Sequence, residues 1–187
     1  MNISRDRAKE IIAKESIASI TEEEAKNILA EYWHYDNESD IHSKIRSGEL
    51  PSLSSKLISL MIASDEPMVT DIQVFEPLLA DWKIFKLKYS ANEYLEKILS
   101  SYGHEFKVEG KIEKAGICPC CNYYSIDPGE DGMWDICPVC FWENGGDGPN
   151  HMAIADAQNN FIKLGAIDER RLQFVEKDGT IKYAKNA

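Results

Sequence analysis

The 187-residue chain has no run of eighteen apolar residues, the length a membrane-spanning helix needs. Its first residues, MNISRDRAKEIIAKES, carry charge where a secretory signal needs an apolar centre, so they read as an ordinary first helix. Cysteine is absent from the first 117 residues and the last 47, and all five lie between Cys118 and Cys140. Lysine and arginine are absent between Cys121 and Asn160, where seven acids stand. There is no internal repeat beyond a local duplication of CPxC. The missing span and signal point to the cytoplasm, where clustered cysteines serve as metal ligands more often than as disulfides. The missing cations disfavour a nucleic-acid role, which rests on Lys and Arg displacing counterions from phosphates.

What is present suits a soluble globular chain. Apolar residues make up 43% and aromatics 10%, enough for a core, and the formal net charge is -11. The first hundred residues read as helical. Thr21 with Glu24 forms a capping-box pattern ahead of Ala25, Ile28, Leu29 and Tyr32, predicting a helix over 21–34. Leu53, Leu57, Leu60 and Met61 predict a second over 52–63. In YSANEYLEKILSSYG, Ser90 reads as N-cap with Glu93 as its reciprocal partner, Leu95 and Ile98 as the buried face and Gly103 as the stop. Between these, Pro67 and Pro77 leave room for a short helix over 75–84. The acidic runs TEEEAK and DNESD read as solvated helix face or loop, and Trp33, Trp82 and the tyrosines as core.

The character changes after Gly103. Phe106, Val108 and Ile112 alternate as in a strand. Then come Cys118, Cys121, Cys137 and Cys140, a C-x2-C, fifteen residues, C-x2-C pattern within the spacing of a four-cysteine zinc site. Proline stands second in each CPxC and presets the turn that aims two sulfurs at one metal. A β-hairpin over the intervening NYYSIDPGEDGMWDI would bring the two turns together. Structural zinc is the expected cofactor, and a closed thiolate site leaves no position for substrate. Cys120 is an alternative ligand, a reactive thiol (with His151 as its base) or a small residue inside the turn, and Val139 at the matching place in CPVC favours the last. The loops DPGEDG and ENGGDG lack the alternating oxygens and terminal glutamate of an EF-hand and read as turns. Ile154, Ala157, Phe161 and Leu164 predict a helix stopped by Gly165, with His151 in its cap region, and the tail RRLQFVEKDGTIKYAKNA reads as a strand or short hairpin, with Asp178-Gly179 at the turn and frayed last residues.

The run CPCC, then DICPVCFWE, then GPNHM and NNFIKLGA resembles the bacterial cysteine-rich CPCC family over about residues 117–166. Its cysteine pattern falls on Cys118, Cys120, Cys121, Cys137 and Cys140, and its Phe-Trp-Glu on Phe141, Trp142 and Glu143. Asn122, Ala153 and Gln158 depart from it, replacing a glycine, a helix-capping hydroxyl residue and an arginine. The resemblance implies a small cytoplasmic accessory protein, of a kind associated with bacterial toxin-immunity neighbourhoods. CPCCNYYSIDP is also similar to the first loop of rubredoxins, which keeps an iron-thiolate electron carrier or a thiol-redox protein as the alternative. The expected fold class is α+β: a helical domain over 1–104, then a zinc-ribbon-like β-hairpin module with a C-terminal helix over 105–187. The expected function is non-enzymatic, a zinc-stabilised protein that binds an unknown, basic protein partner, with neither nucleic acid nor membrane involved.

Overall fold

Side-chain caps fix where the first helices begin. Ser4, Thr21, Asn37, Ser54 and Asp71 each accept a backbone N–H from the following turn, opening α1 (Arg5–Ala18), α2 (Glu22–Ala30), α3 (Glu38–Ser47), α4 (Ser55–Ala63) and α5 (Ile72–Lys86). At α2 the cap is reciprocal: the Glu24 carboxylate accepts the Thr21 N–H at 3.0 Å, and the Thr21 hydroxyl accepts the Glu24 N–H at 3.2 Å. The acidic runs are the starts of α2 and α3, where carboxylates meet unpaired N–H groups and the favourable end of the helix dipole. α5 is longer than the 75–84 expected and runs through Pro77. A proline inside a helix costs about 3 kcal/mol. α5 fully buries Phe75, Leu78 and Leu79, each contributing about 1.5–3 kcal/mol, so packing outweighs the interruption.

The computed structural model describes residues 1–186. They divide into two compact units, one of Met1–Leu87 with Ile98–Val108, the other of Lys88–Lys97 with the chain from Glu109 onward. The first unit holds α1 to α5, β1 (Asn2–Ser4) and all but the last residue of β2 (Lys107–Glu109), which pairs with β1 and buries Val108. Its core centres on Leu29, Trp33, Ile41, Leu57, Phe75 and Leu79. The Trp33 indole donates to the Ser64 carbonyl at 2.8 Å and the Tyr32 hydroxyl to Asp81 at 3.0 Å. Trp82, expected in the core, is half-buried and donates to Glu31 at 3.0 Å.

The division between units falls inside α6 (Asn92–Ser101), whose Leu95 and Leu99 are buried. Ser90 is not its cap. The first bonds of α6 run to the Ala91 carbonyl, Ser90 bridges Tyr183 as strand, and the Ser90 hydroxyl is buried without a partner. Residues 88–97 group with the cysteine-rich unit through bonds within it. The Ala91 N–H donates to the Lys182 carbonyl at 2.7 Å, the Lys88 ammonium pairs with Asp127 at 3.0 Å, and the Tyr89 hydroxyl donates to the same carboxylate. Burial pushes Asp127 up, but the Tyr89 hydroxyl and Lys88 ammonium outweigh it and hold the carboxyl below its usual value.

In the second unit β3 (Gly116–Ile117) pairs antiparallel with β4 (Tyr124–Ile126), Gly116 facing Ile126 and Ile117 facing Tyr124. The two arms between the CPxC turns therefore do not pair with each other. The first folds back on β3, and Ile136 of the second bridges Glu143, so each CPxC turn closes its own short antiparallel pair. α7 (Asp147–Asn150) and α8 (Ile154–Leu164) follow, the latter ended by Gly165 at φ 83°. α8 buries Ala157 and half-buries Ile154 and Phe161, whereas Leu164 is exposed. Asp178-Gly179 opens a helical turn, α9 (Gly179–Lys182), in place of the expected hairpin, because the buried Lys182 is drawn back to Glu176 at 2.8 Å. The tail then runs extended: the Tyr124 N–H donates to the Ala184 carbonyl at 2.9 Å and the Asn186 N–H to the Asn122 carbonyl at 2.8 Å. These bonds tie the tail down through Asn186, where frayed residues were expected, and Ala187 lies outside the described residues.

The turn between the arms is shaped around the Asp127 carbonyl. A Cβ on Gly132 would stand 2.0 Å from that oxygen, and one on Gly116 2.4 Å away. Gly132→Ala is expected to lower the stability of the metal-loaded chain by about 1–3 kcal/mol, read as an earlier midpoint in urea. An unchanged midpoint would contradict the close approach.

Candidate metal centre

The two CPxC turns have the same backbone. In the first, the Asn122 N–H donates to the Cys118 carbonyl at 2.9 Å and the Cys118 N–H to the Tyr123 carbonyl at 2.9 Å. In the second, the Phe141 N–H donates to the Cys137 carbonyl at 2.8 Å and the Cys137 N–H to the Trp142 carbonyl at 2.8 Å. In both, the residue after the second cysteine is left-handed, Asn122 at φ 64° and Phe141 at φ 68°. Asparagine adopts that region readily; phenylalanine does so at a cost of about 1–2 kcal/mol. The Phe141 ring packs 5.4 Å from that of Phe174 and lies under the Arg171 guanidinium at 4.9 Å, which holds the turn against that cost.

This geometry brings Cys118, Cys121, Cys137 and Cys140 together, their sulfurs all within 4.8 Å of one another. The closest pairs join the two turns: Cys118 to Cys140 at 3.6 Å and Cys121 to Cys137 at 3.6 Å. A disulfide would need about 2.05 Å. Four thiolates about 2.3 Å from one tetrahedral ion stand about 3.8 Å apart, so the sulfurs have the spacing of a metal cage. All four are buried, at 0–3% exposure, and no face of the cage opens to a substrate.

Protons and a cation compete for these sulfurs. In the metal-free cluster burial pushes Cys137 up, but hydrogen bonds from the Cys118, Cys121 and Cys140 thiols and the Ser125 hydroxyl pull it well below the usual thiol value. Cys121 is pushed up, first by its bond with Cys118, and Cys140 likewise by its bonds with Cys118 and Cys120. Protons are thus held unequally, loosely at Cys137 and tightly at Cys121 and Cys140. A bound cation would replace those protons and allow full ionisation.

Two groups at the site carried no sequence signal. The Ser125 hydroxyl lies 3.1 Å from the Cys137 sulfur, and the Val139 N–H donates to that sulfur at 3.4 Å. Cys120 stands outside the set of four. It is buried in the same apolar cluster as Val139, its counterpart in the second turn. His151 is exposed at φ 53°, ends α7 and contributes nothing to the cluster. Ala153 gives α8 no side-chain cap, but the Asp147 carboxylate accepts the Ile154 N–H at 3.1 Å in its place. Gln158 donates to the Pro119 carbonyl at 2.9 Å, fastening α8 to the first turn with no ion pair.

The later chain holds the second turn: the Ile167 N–H donates to the Cys140 carbonyl at 2.9 Å and the Glu176 N–H to the Pro138 carbonyl at 2.8 Å. Residues 116–180 match the model of the cysteine-rich CPCC family. The match extends beyond the 117–166 over which the resemblance is readable and takes in Ile167 and Glu176, which bond to the second turn. No curated protein and no solved structure matches the chain.

Cys137→Ser is expected to abolish stoichiometric metal binding, whereas Cys120→Ser retains it, both read as metal per chain by plasma mass spectrometry. Because binding displaces thiol protons, affinity should rise with pH and fall on acidification. A chelator competition curve run at several pH values measures this, and an affinity indifferent to pH would contradict displacement of thiol protons by the metal.

Proposed function

We propose that the chain is a non-enzymatic interaction protein whose cysteine-rich unit is stabilised by one zinc ion held by Cys118, Cys121, Cys137 and Cys140. The observation that carries this is the burial of all four sulfurs, which leaves the cage no open coordination position. Catalytic zinc keeps such a position; structural zinc fills all four and contributes about 10–16 kcal/mol in peptide models. That contribution is large beside a core whose strands are two or three residues long. The acidic surface suits a basic protein partner, as an immunity-type inhibitor of a basic toxin would require.

Metal analysis of freshly purified chain should give one zinc per molecule and a colourless solution. Stoichiometric iron with visible thiolate absorption would overturn the reading in favour of electron transfer, and absence of any metal would overturn both. Chelation is expected to lower the urea midpoint of the cysteine-rich unit, followed by the fluorescence of buried Trp142.

A further inference from the structure

Trp134 is exposed by a backbone that large residues avoid. Its φ is 75°, in the left-handed region where a bulky side chain is an outlier, and strain of this kind is retained where the surroundings enforce it. The enforcing contacts are present. The Trp134 N–H donates to the Asn144 carbonyl at 3.3 Å, the Asn144 N–H to the Asp135 carbonyl at 2.8 Å, and the Asn144 side-chain amide to the Gly132 carbonyl at 2.8 Å. The indole packs against Gly145, where a Cβ would meet its six-membered ring at 2.3 Å. The indole is thus supported on one side while the residue stays 61% exposed, flanked in sequence by Met133 at 53% and Ile136 at 50%.

Three large apolar side chains exposed within four residues form a patch of the kind that marks a docking site, and tryptophan is prominent among residues that dominate binding energy. Charge identifies the occupant. From Asn122 to Asn159 the chain has seven acids and no Lys or Arg, with Glu130, Asp131 and Asp135 beside Trp134 in sequence. Other aromatic rings already face cations: Trp82 faces Lys83 and Lys86, Phe141 faces Arg171 and Tyr123 faces Lys185. Among the described residues no cation lies over Trp134.

We infer that the Trp134 shelf, with Met133 and Ile136, docks a Lys- or Arg-bearing segment of a protein partner, a cationic head stacking on the indole and the acidic, cation-free stretch around it in sequence selecting for positive charge. This rests on the interaction reading above and adds the surface and the chemistry of the partner.

The test is selection of a random dodecapeptide library on the zinc-loaded full chain, followed by affinity measurement on synthesised winners. The expected winners carry at least two Lys or Arg beside an apolar residue and lose at least about tenfold in affinity on Trp134→Ala. They bind more weakly as NaCl rises from about 50 to about 500 mM, and Trp134→Phe retains most of the binding. Zinc content equal to that of the parent chain shows that the variants are folded. Neutral or acidic winners, or no winners, overturn the inference. Basic winners indifferent to Trp134→Ala overturn it while leaving the interaction reading intact. A concentration-dependent dimer abolished by Trp134→Ala would assign the face to a second copy of the chain and overturn it as well.

Discussion

Four sulfurs held within 4.8 Å of one another and shielded from water cannot all ionise unless a cation joins them. Most of the cysteine-rich unit is arranged to create that condition. Each CPxC turn is closed by two backbone bonds, and the closest sulfur pairs run between the turns, so neither turn completes the cage alone. The strands that flank them are too short to enforce this by themselves.

The rest of the unit supplies the enforcement. α8 ties the first turn through Gln158, Ile167 and Glu176 tie the second, and the tail up to Asn186 bonds along β4 and Asn122. These are mainly backbone bonds, so they constrain geometry while leaving side-chain identity free. That accounts for the departures at Asn122, Ala153 and Gln158: one adopts the left-handed turn, one is relieved by Asp147, and one replaces charge with an amide donor. The same rigidity sustains the unfavourable backbone at Phe141 and Trp134.

Residues whose role is local were legible in advance. The Thr21–Glu24 box, the helix ended by Gly165 and the C-x2-C pairs each follow from spacing over a few positions, and each stands where spacing put it. The misreadings share one cause. Ser90 has the spacing of a cap but lies opposite Tyr183; Asp178-Gly179 has the composition of a hairpin turn but Lys182 is drawn back to Glu176; the arms between the turns pair outward. In each case a partner distant in sequence competed with the local preference and won.

The sequence by itself determined the helical first region and the four metal-ligand candidates, because helix caps and the paired-cysteine turn are set by neighbours a few residues apart. Only the tertiary structure decided that the sulfurs are closed off from solvent, that Ser125 joins them, and that Trp134 stands outward on Gly145. Those depend on which surfaces meet after the chain has folded back on itself, and spacing along the chain does not encode them.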